Sequence, residues 1–496
     1  MFKYKLLSLF ALFFMNLLIA QVGNPSDYLS ATFHKERRQA FRSKMPSNSV
    51  AVFFGNPVRN RANDVDYVYH QDPDFYYLTG YKEPNCVLVL FSELQKTPDG
   101  KTYNELIYVQ EKNPNQEQWT GIRLGVDGAK KELGFANAYN GQDFLKSGIN
   151  FKSFGTVLFK AFKEDNGESS RRDKADLYKL IESFKVQIGY ESSVVSKITS
   201  NGIDESKKKS VTTTTKENFD NYSISDYMAS LREIKGKEEL KLLTKAVRIS
   251  AIAQREVMKA MHVGMSETEI QGIHEFVYKK YGSEFEGYPS IVGAGNNGCI
   301  LHYIENSKTK VENDLVLMDL GAEYHGYTAD VTRTIPANGK FNEQQKIIYD
   351  LVYEAQEAGI AGSKIGTTFG ALDGLARQII IEGLVKLGIA KSEIEANKYF
   401  PHGLGHHIGL DVHDPGNYSA LENNMVITVE PGIYIPIGSD CDKKWWGIAV
   451  RIEDDILITP NGPINLSADA PRKWQDIEEL MKEKSIFSTF TVPMLE

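Results

Sequence analysis

The stretch Pro401 to Asp414, PHGLGHHIGLDVHD, places four of the chain's ten histidines within fourteen positions, spaced by glycines. Imidazoles at this density can ligate a metal, move protons or polarise a carbonyl. A single-metal protease usually carries two histidines on one helix with a glutamate between them. Gly403, Gly405 and Gly409 make this stretch a poor helix. It reads as extended backbone that aims side chains into a site. Neighbours on extended backbone point to opposite faces, so His406 is taken as the ligand and His407 as a packing residue. Asp411 and Asp414 read as turn formers that bond to backbone.

Four acids elsewhere give those histidines their meaning. Asp319, Asp330, Glu430 and Glu453 each sit in or beside an apolar run, in LVLMDLG, TADVTRT, ITVEPG and VRIEDD. Burying an unpaired carboxylate is costly, so four of them need positive charge. Arg451, two residues from Glu453 on the same strand face, can serve one partner. In LVLMDLGAEYHGYTADVTRT (315–334), a hairpin centred between Tyr324 and His325 would set Asp319 opposite Asp330, with Cβ atoms roughly 4.5–5.5 Å apart. Carboxylates that close conflict unless a cation lies between them. Oxygen-rich ligation with few imidazoles suits hard divalent ions, manganese first, with zinc or cobalt also able to bind. Four carboxylates balance two such ions, and a paired-metal site arms a hydroxide without any serine or cysteine nucleophile.

The elements that must position these groups come in two sets. DLVLMDLG (314–321) and MVITVEPG (425–432) superpose at an offset of 111, His302 and His413 each precede the first acid of their half by 17 residues, and a second acid follows in each half. Helices expected at 237–261, from 266 (a Ser266–Glu269 capping box), at 344–361 and at 369–387 alternate with strands over 290–334, 426–434 and 447–458. The order helix, helix, strands occurs twice, as an internal duplication would give. Upstream, a helix at 28–45, strands at 50–54, 87–91, 106–109 and 157–159, and a helix at 173–184 predict a separate α/β domain. The polar stretch 201–216, NGIDESKKKSVTTTTK, reads as a loop or linker.

A length of 496 residues fits two or three domains, and a net charge of −8 argues against a nucleic-acid partner. Lys3 and Lys5, then an apolar run from Leu6 to Ala20, have the layout of a secretory signal peptide cut after Ala20. The chain is thus expected to be exported, to the periplasm or medium, with no stable membrane anchor after cleavage. Cys86, Cys299 and Cys441 are too few for a disulfide framework and are expected as free thiols, although one bridge remains open.

At these motifs the chain resembles the pita-bread metallopeptidases, and within them the Xaa-Pro aminopeptidases (aminopeptidase P). The resemblance lies in NGCILHY (297–303), LMDLGAEYHGYTADVTRT (317–334), PHGLGHHIGLDVHD (401–414), TVEPGIY (428–434) and VRIEDDILIT (450–459), and in DVDYVYHQDPDFYYLTGY (64–81) upstream. It implies an α/β amino-terminal domain (21–218), an α+β pita-bread catalytic domain with pseudo-two-fold duplication (219–470) and a carboxy-terminal helix and tail (471–496). Asp319, Asp330, His406, Glu430 and Glu453 would ligate two divalent ions, with Asp330 and Glu453 bridging and Glu430 handling the proton of a bridging hydroxide. His302 and His413 would contact the substrate, and His402 would shape the pocket behind His406. Arg451 and Tyr434 would support the ligands, Asp64 would take part in proton transfer and Trp119 would line the substrate cleft. The implied reaction removes the first residue from peptides with proline second. A prolidase acting on Xaa-Pro dipeptides is the nearest alternative, and the expected assembly is a homo-dimer or homo-tetramer.

Overall fold

The computed structural model describes residues 27–163, 174–190 and 218–489. The expected leader at 1–20, the polar stretch 201–216 and the last seven residues lie outside them. No helix among the described residues is long and apolar enough to cross a membrane. All three cysteines are free thiols, with Cys86 buried.

The first domain is a mixed sheet flanked by helices. Its strands are β1 (Ser49–Phe54), β4 (Val87–Lys96), β5 (Thr102–Val109), β6 (Ala138–Asn140), β7 (Thr156–Phe159) and β8 (Phe219–Asp220), in the order β6-β5-β4-β1-β7-β8. Between β1 and β4, the chain forms a small hairpin, β2 (Asn60–Ala62) and β3 (Val65–Asp66). Strand side chains alternate between faces. Val50 and Val52 therefore pack with Phe144, Phe151 and Phe184 on one side. Ala51 and Phe53 join a second core that continues into the catalytic domain through Phe41, Phe75, Leu231 and Leu242. Helices α1 (Ala31–Lys44) and α2 (Pro73–Thr79) lie on that side; α3 (Pro114–Thr120) is peripheral and has no buried residue. The helix expected at 173–184 is displaced to α4 (Leu177–Ile188), because Asp176 caps its start by accepting from the Lys179 amide and Gly189, at φ +75°, ends it.

Helix α5 (Ser223–Arg232), not anticipated from sequence, leads into the second domain. There α6 (Lys237–Ala260) and α7 (Glu267–Lys280) precede β9 (Phe285–Glu286), β10 (Ile291–Ala294), β11 (Leu315–Leu320), β12 (Ala322–Tyr324), β13 (Tyr327–Thr328) and β14 (Val331–Pro336). Then α8 (Glu343–Gly362) and α9 (Phe369–Lys386) precede β15 (Val426–Val429), β16 (Gly432–Ile435), β17 (Ile448–Arg451) and β18 (Asp454–Leu457). The repeated order matches the duplication read from sequence, and β11 pairs with β14 as β15 pairs with β18. At Ser266 only half of the expected capping box forms: its hydroxyl accepts from the Glu269 amide at 3.0 Å. The carboxy-terminal segment holds a short α-helix, Trp474–Leu480, and a 3-10 helix, Ile486–Thr489.

The two halves are riveted at Arg333 on β14. This fully buried guanidinium uses all five N–H groups: Nη2 bonds Asp454 Oδ1 at 2.7 Å, and the others reach the carbonyls of Thr332, Glu453, Ala470 and Pro471. Breaking one partner of a buried pair strands the other charge. Arg333→Met should lower the free energy of unfolding by about 3–5 kcal/mol, read from urea denaturation of the full chain. Arg333→Lys, with three donors for five acceptors, should recover only part of that loss.

Candidate metal centre

Each half delivers two acids to one end of a β-pair. Asp319 lies in β11, which is buried throughout, and Asp330 immediately precedes β14. The register pairs Asp319 with Thr332 and Tyr324 with Tyr327. The hairpin is therefore centred between His325 and Gly326, one residue later than expected, and Asp330 is diagonal to Asp319 instead of opposite. The positive φ of His325 (+50°) and Gly326 (+90°) marks the mirror-image two-residue turn that fits hairpin twist. A shift of two in the partner keeps side-chain parity, so both aspartates still share a face. In the second half Val429 pairs with Asp454, and Glu430 and Glu453 flank the end of that ladder.

The loop 401–414 completes the site as an irregular strand on the edge of β15. Glu430 N–H donates to Leu404 O at 2.8 Å, Thr428 N–H to His406 O at 2.9 Å and Ile408 N–H to Val426 O at 3.2 Å. The extended reading of this segment therefore holds, and so does the alternation. His406 faces the acids, while His407 turns away to pack between the Phe369 and Tyr418 rings at 5.0 and 4.9 Å. Gly405 permits this approach, since a Cβ there would lie 2.0 Å from Thr428 O.

The acids converge. Ligand atoms of Asp330, His406 and Glu453 all lie within 4.8 Å of one another. His406 Nε2 is 3.6 Å from Asp330 Oδ2 and 3.5 Å from Glu430 Oε1. Its Nδ1 lies 2.9 Å from the His407 carbonyl. A proton held at Nδ1 leaves the Nε2 lone pair aimed at the acids, the arrangement of a metal-binding imidazole. The Tyr288 hydroxyl reaches Asp319 Oδ1 at 2.6 Å and Asp330 Oδ1 at 2.5 Å. Arg451 pairs with Asp319, not with its strand neighbour Glu453, and donates to the Tyr434 hydroxyl at 2.7 Å. Thr332 donates to Glu453 at 2.5 Å.

Charge crowding shows in the acidities. Burial pushes Glu430 up to about 7, opposed by His406 and reinforced by Asp330. Burial, then the other three carboxylates, holds Glu453 well above its usual range. Asp330 is burdened by burial yet pulled down overall by His406. Burial disfavours the His406 cation, but Asp330 and Glu430 outweigh it and raise the imidazole to about 9. Three buried carboxylates and the half-buried Glu430 meet the Arg451 guanidinium, the His406 imidazole and, 3.8 Å from Glu430, His402; so acidic a set fits divalent cations, and the oxygen-rich donors favour hard ones.

The remaining expected residues divide. His402 Nε2 lies 2.8 Å from the Tyr434 hydroxyl, joining the Tyr434–Arg451–Asp319 chain. His413 stacks on His406 at 4.0 Å between ring centroids. Burial, then the neighbouring His406 and His302, lowers it to about 4. Asp64, exposed at the tip of the β2–β3 hairpin, makes no hydrogen bond or ion pair to the centre among the described residues. Trp119 on α3 is 87% exposed, and a single chain does not bring it to the site either. The expected turn bond forms at Asp414, whose Oδ1 accepts from the Asp411 amide at 3.2 Å, but both aspartates are also ion-pair partners of Arg232 and, for Asp414, of Lys235. Tyr288, Thr332 and Arg232 escaped the sequence reading; a lone tyrosine, threonine or arginine carries no spacing signal.

Ligands must shed their protons to bind a cation. Glu430 holds its proton up to about pH 7 and His406 up to about 9. Cation binding between pH 6 and 8 should therefore release protons, and affinity should rise with pH. Calorimetric titration of the metal-free protein with manganese, in buffers of different ionisation enthalpy, should give proton release and weaker binding at pH 6 than at pH 8.

Known proteins share the two domains and the fold. Residues 241–460 match the metallopeptidase family M24, and residues 34–149 match the aminopeptidase P N-terminal domain. The chain is 35% identical to the Xaa-Pro aminopeptidase of Escherichia coli K12, over 90% of this chain and 97% of that protein. It is 32% identical to Xaa-Pro aminopeptidase 3 of Rattus norvegicus, over 92% and 85%. Its fold superposes on E. coli aminopeptidase P with the inhibitor Pro-Leu at a TM-score of 0.76 and 33% identity, covering 92% and 99% of the two chains. Aminopeptidase PepP of Pseudomonas aeruginosa gives 0.77 at 31% identity, covering 92% and 98%. A buried carboxylate–imidazole cluster built from two matching half-domains, behind an amino-terminal domain of the aminopeptidase P type, places this chain in metallopeptidase family M24.

Proposed function

We propose that this protein is a metal-dependent exopeptidase that releases the first residue from peptides with proline in second position. The observation that carries the reading is the clustering of Asp330, His406 and Glu453 within 4.8 Å of one another, with Glu430 3.5 Å from His406 and Asp319 tied to Asp330 through the Tyr288 hydroxyl. The relatives named above as Xaa-Pro aminopeptidases, similar over nearly their whole length, supply the substrate class.

Asp319, Asp330, His406, Glu430 and Glu453 would hold two divalent cations, manganese first. Such ions, when bound, polarise a carbonyl and acidify water. The chain's own groups do the rest. Glu430 would take the proton of the attacking water and pass it to the departing nitrogen. His413 carries its N–H beside the ligand imidazole and donates to the oxygen on which charge develops. His302, near enough for its charge to act on His413, contacts the substrate from the same side. The His402–Tyr434–Arg451 chain holds Asp319 in place. The nitrogen of an Xaa-Pro bond has no hydrogen, so a site that grips the free amino terminus and the proline ring selects for it. Export to the periplasm or medium follows from the layout of residues 1–20. The exposed Trp119 and Ile122 support a homo-dimeric or homo-tetrameric assembly that covers them.

Product analysis on Xaa-Pro-Yaa peptides, with manganese added and removed, tests the reading. Release of free Xaa only with metal supports it; cleavage confined to Xaa-Pro dipeptides would make the protein a prolidase instead. Glu430→Ala should lower kcat by about 1,000-fold or more without unfolding the chain. His413→Ala should cost about 100-fold in kcat with metal still bound, and metal loss in that variant would move His413 into the ligand set.

A further inference from the structure

His413 makes no hydrogen bond among the described residues; only its stack on His406 touches the centre. Its position must come from its neighbours. Asp411 and Asp414, on either side of it, converge on Arg232 at the end of α5. Arg232 Nη2 donates to Asp411 Oδ2 at 2.7 Å and to Asp414 Oδ1 at 2.5 Å. Lys235 Nζ holds the other Asp414 oxygen at 2.8 Å and the Arg232 carbonyl at 2.7 Å. The same guanidinium reaches back into the first domain, where Nη1 donates to Asp74 Oδ1 at 2.7 Å. Asp74 is 2% exposed on α2 and also pairs with Lys160, just past β7.

Three anions (Asp74, Asp411 and Asp414) and three cations (Arg232, Lys235 and Lys160) thus form one continuous network. It runs from the first domain, through the helix that joins the domains, to the turn carrying His413. A planar guanidinium can serve carboxylates from both domains at once; an ammonium is a point charge and cannot reproduce that fork. If the network served stability alone, it would have no reason to straddle an imidazole that lacks partners of its own. We propose that Arg232 is a positioning residue for His413: it clamps the turn so that the imidazole faces the reacting carbonyl, and through Asp74 it ties that placement to the seating of the first domain. The inference rests on the reading above, in which His413 acts on the substrate.

The test is a double-mutant cycle on the full chain loaded with manganese. Arg232→Lys should lower kcat on an Xaa-Pro-Yaa peptide by about 100-fold, the cost of a misplaced group, with metal content and KM near wild type. In a His413→Ala background the same change should cost less than about twofold, because the effect acts through the imidazole already removed. Losses that simply multiply, or loss of metal in Arg232→Lys, would overturn the assignment. Asp74→Asn, which keeps shape and removes one charge, takes its place in the cycle if Arg232→Lys does not fold. An arm independent of turnover uses metal-free protein labelled with 15N-histidine, since manganese would broaden these signals. The His413 ring signals, assigned with His413→Asn, should shift in Arg232→Lys or Asp74→Asn while those of the distant buried His274 stay fixed. Unmoved His413 signals in either folded variant would overturn the inference. Failure of the wild type to cleave any Xaa-Pro peptide would sink the functional reading, and the spectra would still decide the positioning.

Discussion

Like charges held together by the backbone dominate this molecule. Asp319, Asp330, Glu430 and Glu453 sit on strand ends that cannot separate without breaking β-ladders in apolar cores. Among the described residues Arg451 and His406 bring positive charge to them, and neither can neutralise four carboxylates. The weakened acidity of Glu430 and Glu453 and the raised basicity of His406 are two sides of that one constraint. In the chain alone the crowding is relieved by retained protons. A divalent cation relieves it more directly, because its charge falls where the carboxylate oxygens already point.

The surrounding architecture keeps that crowding in place. Gly321 and Gly405 let backbone pass so close that a Cβ would meet a carbonyl oxygen at 1.8 and 2.0 Å, which pins one acid pair and the ligand histidine. Arg333 joins the halves just behind Glu453, so the two acid pairs cannot drift apart. At the domain seam, His70 bonds both oxygens of Glu323 at 2.9 Å, and Tyr28 stacks on His325 at 3.7 Å. The tip of the hairpin that carries Asp319 and Asp330 is therefore held by the first domain as well.

The cluster of acids is legible in sequence because acids in apolar runs violate burial rules, and because the violation occurs twice at matching offsets. The outward turn of His407 followed from strand parity alone. The hairpin register did not follow, since Tyr324, His325 and Gly326 offer more than one two-residue turn and only the backbone shows that His325 takes positive φ. The fates of Asp411 and Asp414 were hidden for a different reason. Their partners Arg232 and Lys235 lie some 180 positions away, and no local pattern announces an ion pair that closes across a domain boundary. Asp64 and Trp119 were named by resemblance only, and the contacts of one chain give them no part in the centre.

The edge pairing of residues 404–408 with β15 has an implication for how this gene can change. Adjacent imidazoles there serve opposite faces, so deleting or inserting a single codon between Leu404 and His406 would slip the ladder by one step. His407 would then face the acids and His406 would turn away from them. Length variation among descendants should therefore spare this short window, and gather in the surface connections that carry no register.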